Sequence, residues 1–171
     1  MQAHVKTLSQ PQRAAMLARV EKDAIGFASG TRSANQAWVF FDPYCSYCSD
    51  LWRETSLLKN QVAFVWIPVA LLGDDSAALG AAMLDAAQPA SLMWANEEAM
   101  RHAGTAMTLT AEPSEASLAK VALNTELMIT VDPAARPPSV PLMYYRSSSG
   151  QVEIIAGAMD ARALKAAMKL K

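Results

Sequence analysis

The sequence has little of what usually marks a special chemistry. Two cysteines and two histidines stand among 171 residues, too few for a disulfide framework or a histidine-rich metal site. Charge is almost balanced, with 15 Lys and Arg against 16 Asp and Glu, a formal net charge of -1 and no basic stripe or block. That excludes the electrostatic footprint of a nucleic-acid-binding surface. Charge or proline interrupts every apolar run before the roughly 18 residues that a membrane-spanning helix needs. The opening, MQAHVKTLSQPQRAAM, has no apolar core followed by small cleavage residues, so it does not read as a signal peptide. Internal repeats and low-complexity tracts are also missing. What remains is a chain with 52% hydrophobic residues, enough to bury a core in one domain with an N-terminal appendage.

Apolar spacing from Ser9 to Ala24 predicts an amphipathic lead-in helix, capped by Ser9 and weakened at Gly26 and Gly30. A loop, GTRSANQ, separates it from the continuous apolar run Ala37–Phe41, which reads as a strand covered on both faces and stopped by Asp42 and Pro43. Cys45 to about Asn60 has helical spacing, and Val62–Leu72 reads as a second strand that Pro68 ends or bulges. Three alanine-rich helices follow, near 76–87, 90–103 and from a Ser114 cap to about Ile129. Val140–Tyr145 and Val152–Ala156 form a hairpin around RSSSGQ, and a helix from Met159 to Leu170 closes the chain. The expected organisation is an N-terminal helix region, 1–34, and a main domain, 35–171, with a helical insertion at about 73–136.

The two cysteines occupy positions 45 and 48, between the apolar strand and the helix. On one helical face a turn apart, their sulfurs can join. A cysteine in the first turn also faces unpaired amide N–H groups and the positive end of the helix dipole, which favour the thiolate. Cys45 is then the attacking thiol and Cys48, deeper in the helix, the resolving one. Three blander readings compete: two buried small hydrophobes, a zinc site completed by His4, His102 or carboxylates, and a static bridge. The strand-to-helix context favours redox chemistry. The second element is SVPLMYYRSSSGQVEIIAG, where Pro141 opens a strand after a proline-rich loop.

Together, VFFDPYCSYC and SVPLMYY…GQVEIIAGAMDARAL resemble the catalytic domain of the DsbC/DsbG family of periplasmic thiol:disulfide interchange proteins, the DsbG branch in particular. The middle segment VAFVWIPVALLGDDSAALGAAMLDAAQPASLMW is similar too, so the resemblance runs from about Trp38 to the C-terminus. It implies an α/β chain with a thioredoxin fold, a helical insertion between the second strand and the C-terminal hairpin, and a preceding linker helix. It implies a thiol:disulfide oxidoreductase of isomerase or reductase type, with Cys45 and Cys48 catalytic, Pro141 in cis and Val140 pairing its backbone with an extended substrate. No cofactor or metal is implied. The partners would be proteins with cysteines and a membrane thiol reductase or oxidase that resets the pair, in the periplasm. A thioredoxin-like peptide-binding module or chaperone with a static disulfide is the alternative.

Two departures touch the cysteines' surroundings: Ser46 and Tyr47 stand between them where the branch usually begins with proline, and Val140 replaces threonine. Ser46, Tyr47 and Met143 are the further candidates for a substrate groove, with Tyr44 split between rim and packing. Upstream, Ser9 to Ser29 resembles only the family's linker helix, so a homodimer is expected through that helix, if its apolar stripe is open, or through an upstream domain. Met83, Met93, Met100, Met128 and Met168 read as core fillers, as do Trp52 and Trp66. Trp38 and Trp94 fit core or surface. His102, Glu97, Glu98, Asp74 and Asp75 read as solvated.

Overall fold

The computed structural model describes residues 5–31 and 35–170. Residues 32–34 of the expected loop, and His4, lie outside them. The elements run α1 (Gln10–Asp23), β1 (Phe27–Ser29), β2 (Gln36–Phe41), α2 (Ser46–Ser56), β3 (Ala63–Pro68), α3 (Asp74–Asp85), α4 (Pro89–Ala103), α5 (Glu115–Val131), β4 (Leu142–Arg146), β5 (Val152–Ala156) and α6 (Ala161–Ala167). One five-stranded sheet has the order β1-β3-β2-β4-β5. β2 lies parallel to β3, and the other pairings are antiparallel.

The continuous apolar run of β2 follows from its central place, because both of its faces are buried. Ala37, Val39 and Phe41 enter one core cluster, shared with Cys45, Cys48 and Leu51, while Trp38 and Phe40 enter the other. The first cluster takes residues from α2, α3, α4 and α6, and the second from α1 and α5. This period of two is the strand's own geometry.

Three differences from the sequence reading have local causes. β1 is an extra edge strand, with Phe27 opposite Trp66, so the insertion follows the third strand of the chain. Gly26 allows the approach: a Cβ there would stand 2.3 Å from the Trp66 carbonyl oxygen. β3 ends at Pro68, one of the two outcomes expected of that proline, whereas β4 begins only at Leu142 because Pro141 supplies no N–H to the ladder. The cysteine helix starts at Ser46, with Cys45 as its N-cap, and ends at Ser56.

The lead-in helix packs on its own chain. Leu17 and Val20 of α1 are fully buried in the cluster that holds Leu127 and Met128 of α5. Arg13 pairs with Glu153 on β5, and Arg146 on β4 reaches Glu21 at 2.6 Å. The stripe that a dimer through this helix would use is thus largely covered from within. Asn124 anchors the far side of α5, donating to the carbonyls of Ile25 (2.7 Å) and Pro68 (3.0 Å) and accepting from the Ile25 N–H. At the other end of the insertion, Ser114 caps α5 and shares the Asp85 carboxylate with Ser117.

Candidate active site

The antiparallel register of β2 and β4 sets Phe40 opposite Leu142, so the end of β2 that leads to the cysteines lies beside the start of β4. Two distant stretches of sequence meet there. The Val140–Pro141 peptide bond is cis, as is Arg136–Pro137. The Gly157 N–H donates to the Pro141 carbonyl at 2.9 Å, tying this loop to the end of β5. The Cys45 thiol lies 3.8 Å from the Val140 carbonyl oxygen.

Asp42 shapes the approach to the cysteines. Its fully buried carboxylate accepts the Tyr44 N–H (2.9 Å) and the Ser76 hydroxyl (2.7 Å) on one oxygen, and the N–H groups of Leu71 (2.8 Å) and Leu72 (3.0 Å) on the other. Four donors offset much of the cost of burying a charge. The next residue, Pro43, offers its carbonyl to the Asn96 amide at 2.8 Å, and the Asn96 oxygen accepts the Met107 N–H at 3.1 Å. Strand exit, insertion and cysteine helix are therefore pinned to one another.

Both cysteines are present as thiols. Cys45, at the N-cap of α2, keeps a little exposure, whereas Cys48 has none. The hydrogen bond from Cys48 lowers the Cys45 pKa, helped by the backbone N–H groups of Cys48 and Tyr47 and opposed by burial. Burial pushes the Cys48 thiol well up, and Cys45 and Glu97 push in the same direction. The arrangement favours the thiolate at Cys45 and disfavours it at Cys48.

Around this pair, Ser46 is exposed, Tyr47 is 65% exposed, and Val140 is partly buried against both core clusters. Tyr44 packs partly against the core. Met143 is a correction: expected at a groove, it is fully buried between Val39 on β2 and Ile155 on β5. The pleat turns this position into the first core cluster. Met83, Met93, Met128 and Met168 are buried too, and Met100 is partly so. Trp66 is fully buried with Trp52 edge-on at 4.9 Å, Trp38 is buried, and Trp94 is 58% exposed. His102 is exposed and 3.3 Å from Glu98. Among the described residues, no group of three or more His, Cys, Asp or Glu is placed to hold a metal ion.

Three residues that sequence reasoning missed belong to this site: Asp42, Asn96 and Glu97. Asp42 was legible only as a strand stop. Glu97, expected to be solvated, is buried on α4. Met93 and Met100, four residues before it and three after, share its helical face, which is the signal that marks it as inward-facing. A cleft of about 190 Å³ between α2 and α4 is lined by Ser46, Ser49, Trp94, Glu97 and Arg101, among others.

Neither a protein-family model nor a curated protein matches the chain. Solved structures do. The catalytic domain of Proteus mirabilis ScsC has a TM-score of 0.65 at 20% identity, over 95% of this chain and 97% of that one. A periplasmic thioredoxin-like protein from Salmonella enterica serovar Typhimurium has a TM-score of 0.62 at 21% identity, over 90% and 94% of the two chains. The thiol-disulfide exchange protein alpha-DsbA2 from Wolbachia pipientis has a TM-score of 0.65 at 14% identity, over 95% and 98%. The likeness thus extends to ScsC and DsbA2 and is not particular to the DsbC/DsbG branch. Nearly the whole chain, insertion included, has the thioredoxin-like fold of these proteins.

Proposed function

We propose that this protein is a thiol:disulfide oxidoreductase acting on cysteine-containing proteins through a mixed disulfide at Cys45. The observation that carries this reading is the placement of a low-pKa thiol at a helix N-terminus, 3.8 Å from the Val140 carbonyl, with a buried second thiol one turn behind it. The Cys45 thiolate attacks one sulfur of a substrate disulfide, and the electron pair of that bond leaves on the other. Cys48 then attacks Cys45, closing the pair as a disulfide and freeing a reduced substrate; the reverse sequence oxidises a dithiol.

An extended substrate would lie along Val140 and Pro141 by short main-chain pairing, with the exposed Ser46 and Tyr47 as its rim. A membrane thiol reductase or oxidase would reset the pair. The periplasm, the compartment of the Salmonella thioredoxin-like protein, suits such exchange, and no described helix is long and apolar enough to cross a membrane. Isomerase or reductase work needs the pair held reduced, and a stabilised Cys45 thiolate favours that state.

The test is the redox equilibrium of the pair in glutathione buffers, with trapping in variants. A reversible couple well above roughly -300 mV, loss of exchange in Cys45→Ser and accumulated mixed disulfides in Cys48→Ser are the expected results. A very low potential with an unreactive bridge, and client binding retained in a double Cys→Ala variant, would favour a peptide-binding module instead.

A further inference from the structure

We infer that a second cleft, at the far end of α2 from Cys45, is a binding site for small aromatic carboxylates, with the ring held by Trp52 and Trp94 and the carboxylate by Lys59. This site goes beyond the exchange reading and does not depend on it.

The cleft has a volume of about 440 Å³ and lies between α2, α4 and the end of β1, within the size range of small-molecule sites. It adjoins the smaller cleft described above, sharing Trp52, Ser56 and Trp94 with it. About 15 Å of helix separates it from the cysteines. Its walls are aromatic. Trp94 on α4 is 58% exposed, so its indole presents a large apolar face to the opening. Trp52 on α2 is held edge-on at 4.9 Å against the fully buried Trp66, whose indole N–H donates to Ser29 at 3.0 Å. That wall is therefore set before any ligand arrives, and the small side chains of Ala90 and Ser91 keep the α4 wall low.

The polar groups select the charge of the occupant. Among the described residues that line the cleft, Lys59 is the one ionisable group. Its backbone is fixed, because its carbonyl accepts the Thr31 N–H at 2.8 Å and the Thr31 hydroxyl at 2.7 Å. Its ammonium makes no ion pair or hydrogen bond among the described residues. Ser29, which receives the Trp66 indole, keeps its own O–H to give. The other hydroxyls are used within the chain: Thr55 donates to the Trp52 carbonyl at 2.8 Å, Ser56 to the Arg53 carbonyl at 2.6 Å and Ser91 to Gln88 at 3.2 Å. The cleft thus offers free donors and a positive charge without a carboxylate, which calls for an anion. In the adjoining cleft the cations are already matched, Arg53 with Asp50 at 3.8 Å and Arg101 with Glu98 at 2.6 Å.

An aromatic ring bearing a carboxylate on a short arm matches both halves of this surface. The ring meets the two indoles in offset or edge-on contact. The carboxylate takes charge-assisted hydrogen bonds from Lys59 and the Ser29 hydroxyl, which fix its orientation. An aliphatic acid would forgo the ring contacts, and a neutral aromatic would leave the ammonium unmatched. Binding makes and breaks no covalent bond.

The experiment is titration of the full chain with indole-3-acetate, followed through the indole N–H signals of its four tryptophans by NMR. Saturable shifts at Trp52 and Trp94, with Trp38 unmoved, and a dissociation constant of about 1 mM or lower are expected for a ligand of this size. Indole-3-acetamide, which has the ring without the charge, should bind about tenfold more weakly. Lys59→Met should reduce the affinity for the acid to that for the amide and leave the amide unchanged, and Lys59→Arg should restore most of the difference. Trp94→Ala should weaken both ligands; Trp94→Phe, which keeps a ring, should retain them. No saturation by about 10 mM, equal binding of acid and amide, or an affinity for the acid unmoved by Lys59→Met would overturn the proposal. Binding is read without disulfide chemistry, so its failure and a failure of the exchange reading are seen separately.

Discussion

The Asn96 side-chain amide donates to the Pro43 carbonyl across 2.8 Å, so the insertion grips the chain two residues before Cys45. Asn96→Ala would leave that carbonyl and the Met107 N–H without their partner in a buried place. We expect a loss of about 1–3 kcal/mol in urea unfolding. An unaltered midpoint would mean that water replaces the amide at no cost.

Stability should depend on pH through Glu97. Its folded pKa, about 7, lies above the ordinary carboxylate value of 4.5, so the folded protein binds this proton more tightly than the unfolded chain does. The contribution is full below pH 4.5 and is lost as pH rises through 7. Relative to Glu97→Gln, wild type should lose up to about 3 kcal/mol across that window. Parallel unfolding curves at every pH would show that the carboxyl titrates normally.

Met143 and Tyr47 should separate packing from recognition. Met143→Ala opens a cavity in the cluster that holds both cysteines, at about 2–5 kcal/mol. Tyr47→Ala removes an exposed ring and should change stability by no more than about 0.5 kcal/mol. It should slow exchange with a protein disulfide while leaving a small aromatic disulfide unaffected. Equal slowing of both would place Tyr47 in the chemistry of the pair and not at the rim.

Gly26→Ala tests the edge strand. A methyl group 2.3 Å from the Trp66 carbonyl oxygen cannot be accommodated without moving β1. The Trp66 indole N–H, which donates to Ser29 on β1 at 3.0 Å, should report the shift as a change in fluorescence. The midpoint of unfolding should fall with it.

Much of the fold was legible because its elements have strong local signatures. β2 is a continuous apolar run closed by Asp42 and Pro43, and the last two strands flank a turn that ends in Gly150 at φ 81°. The cysteines and Pro141 were visible as a motif. β1 was not, since three residues carry no period and become a strand only because the β3 edge is there to receive them. Met143 was misread because a central strand is apolar on both faces, and its composition does not say which face a residue takes. Glu97 and Asp42 are the same letters whether solvated or buried; their roles depend on α4 and on the 71–76 segment, which only the tertiary structure brings to the cysteines.

The unequal burial of the two sulfurs imposes a regiochemistry. With Cys48 wholly enclosed and Cys45 at the surface margin, an oxidised pair offers an incoming thiolate a single electrophilic atom. In the exchange proposed above, client and resetting partner, whatever their sequences, would each form their bond at Cys45, one after the other. A protein adduct on the inner sulfur would require prising open the core cluster, so the burial that stabilises the domain also keeps its traffic on one track.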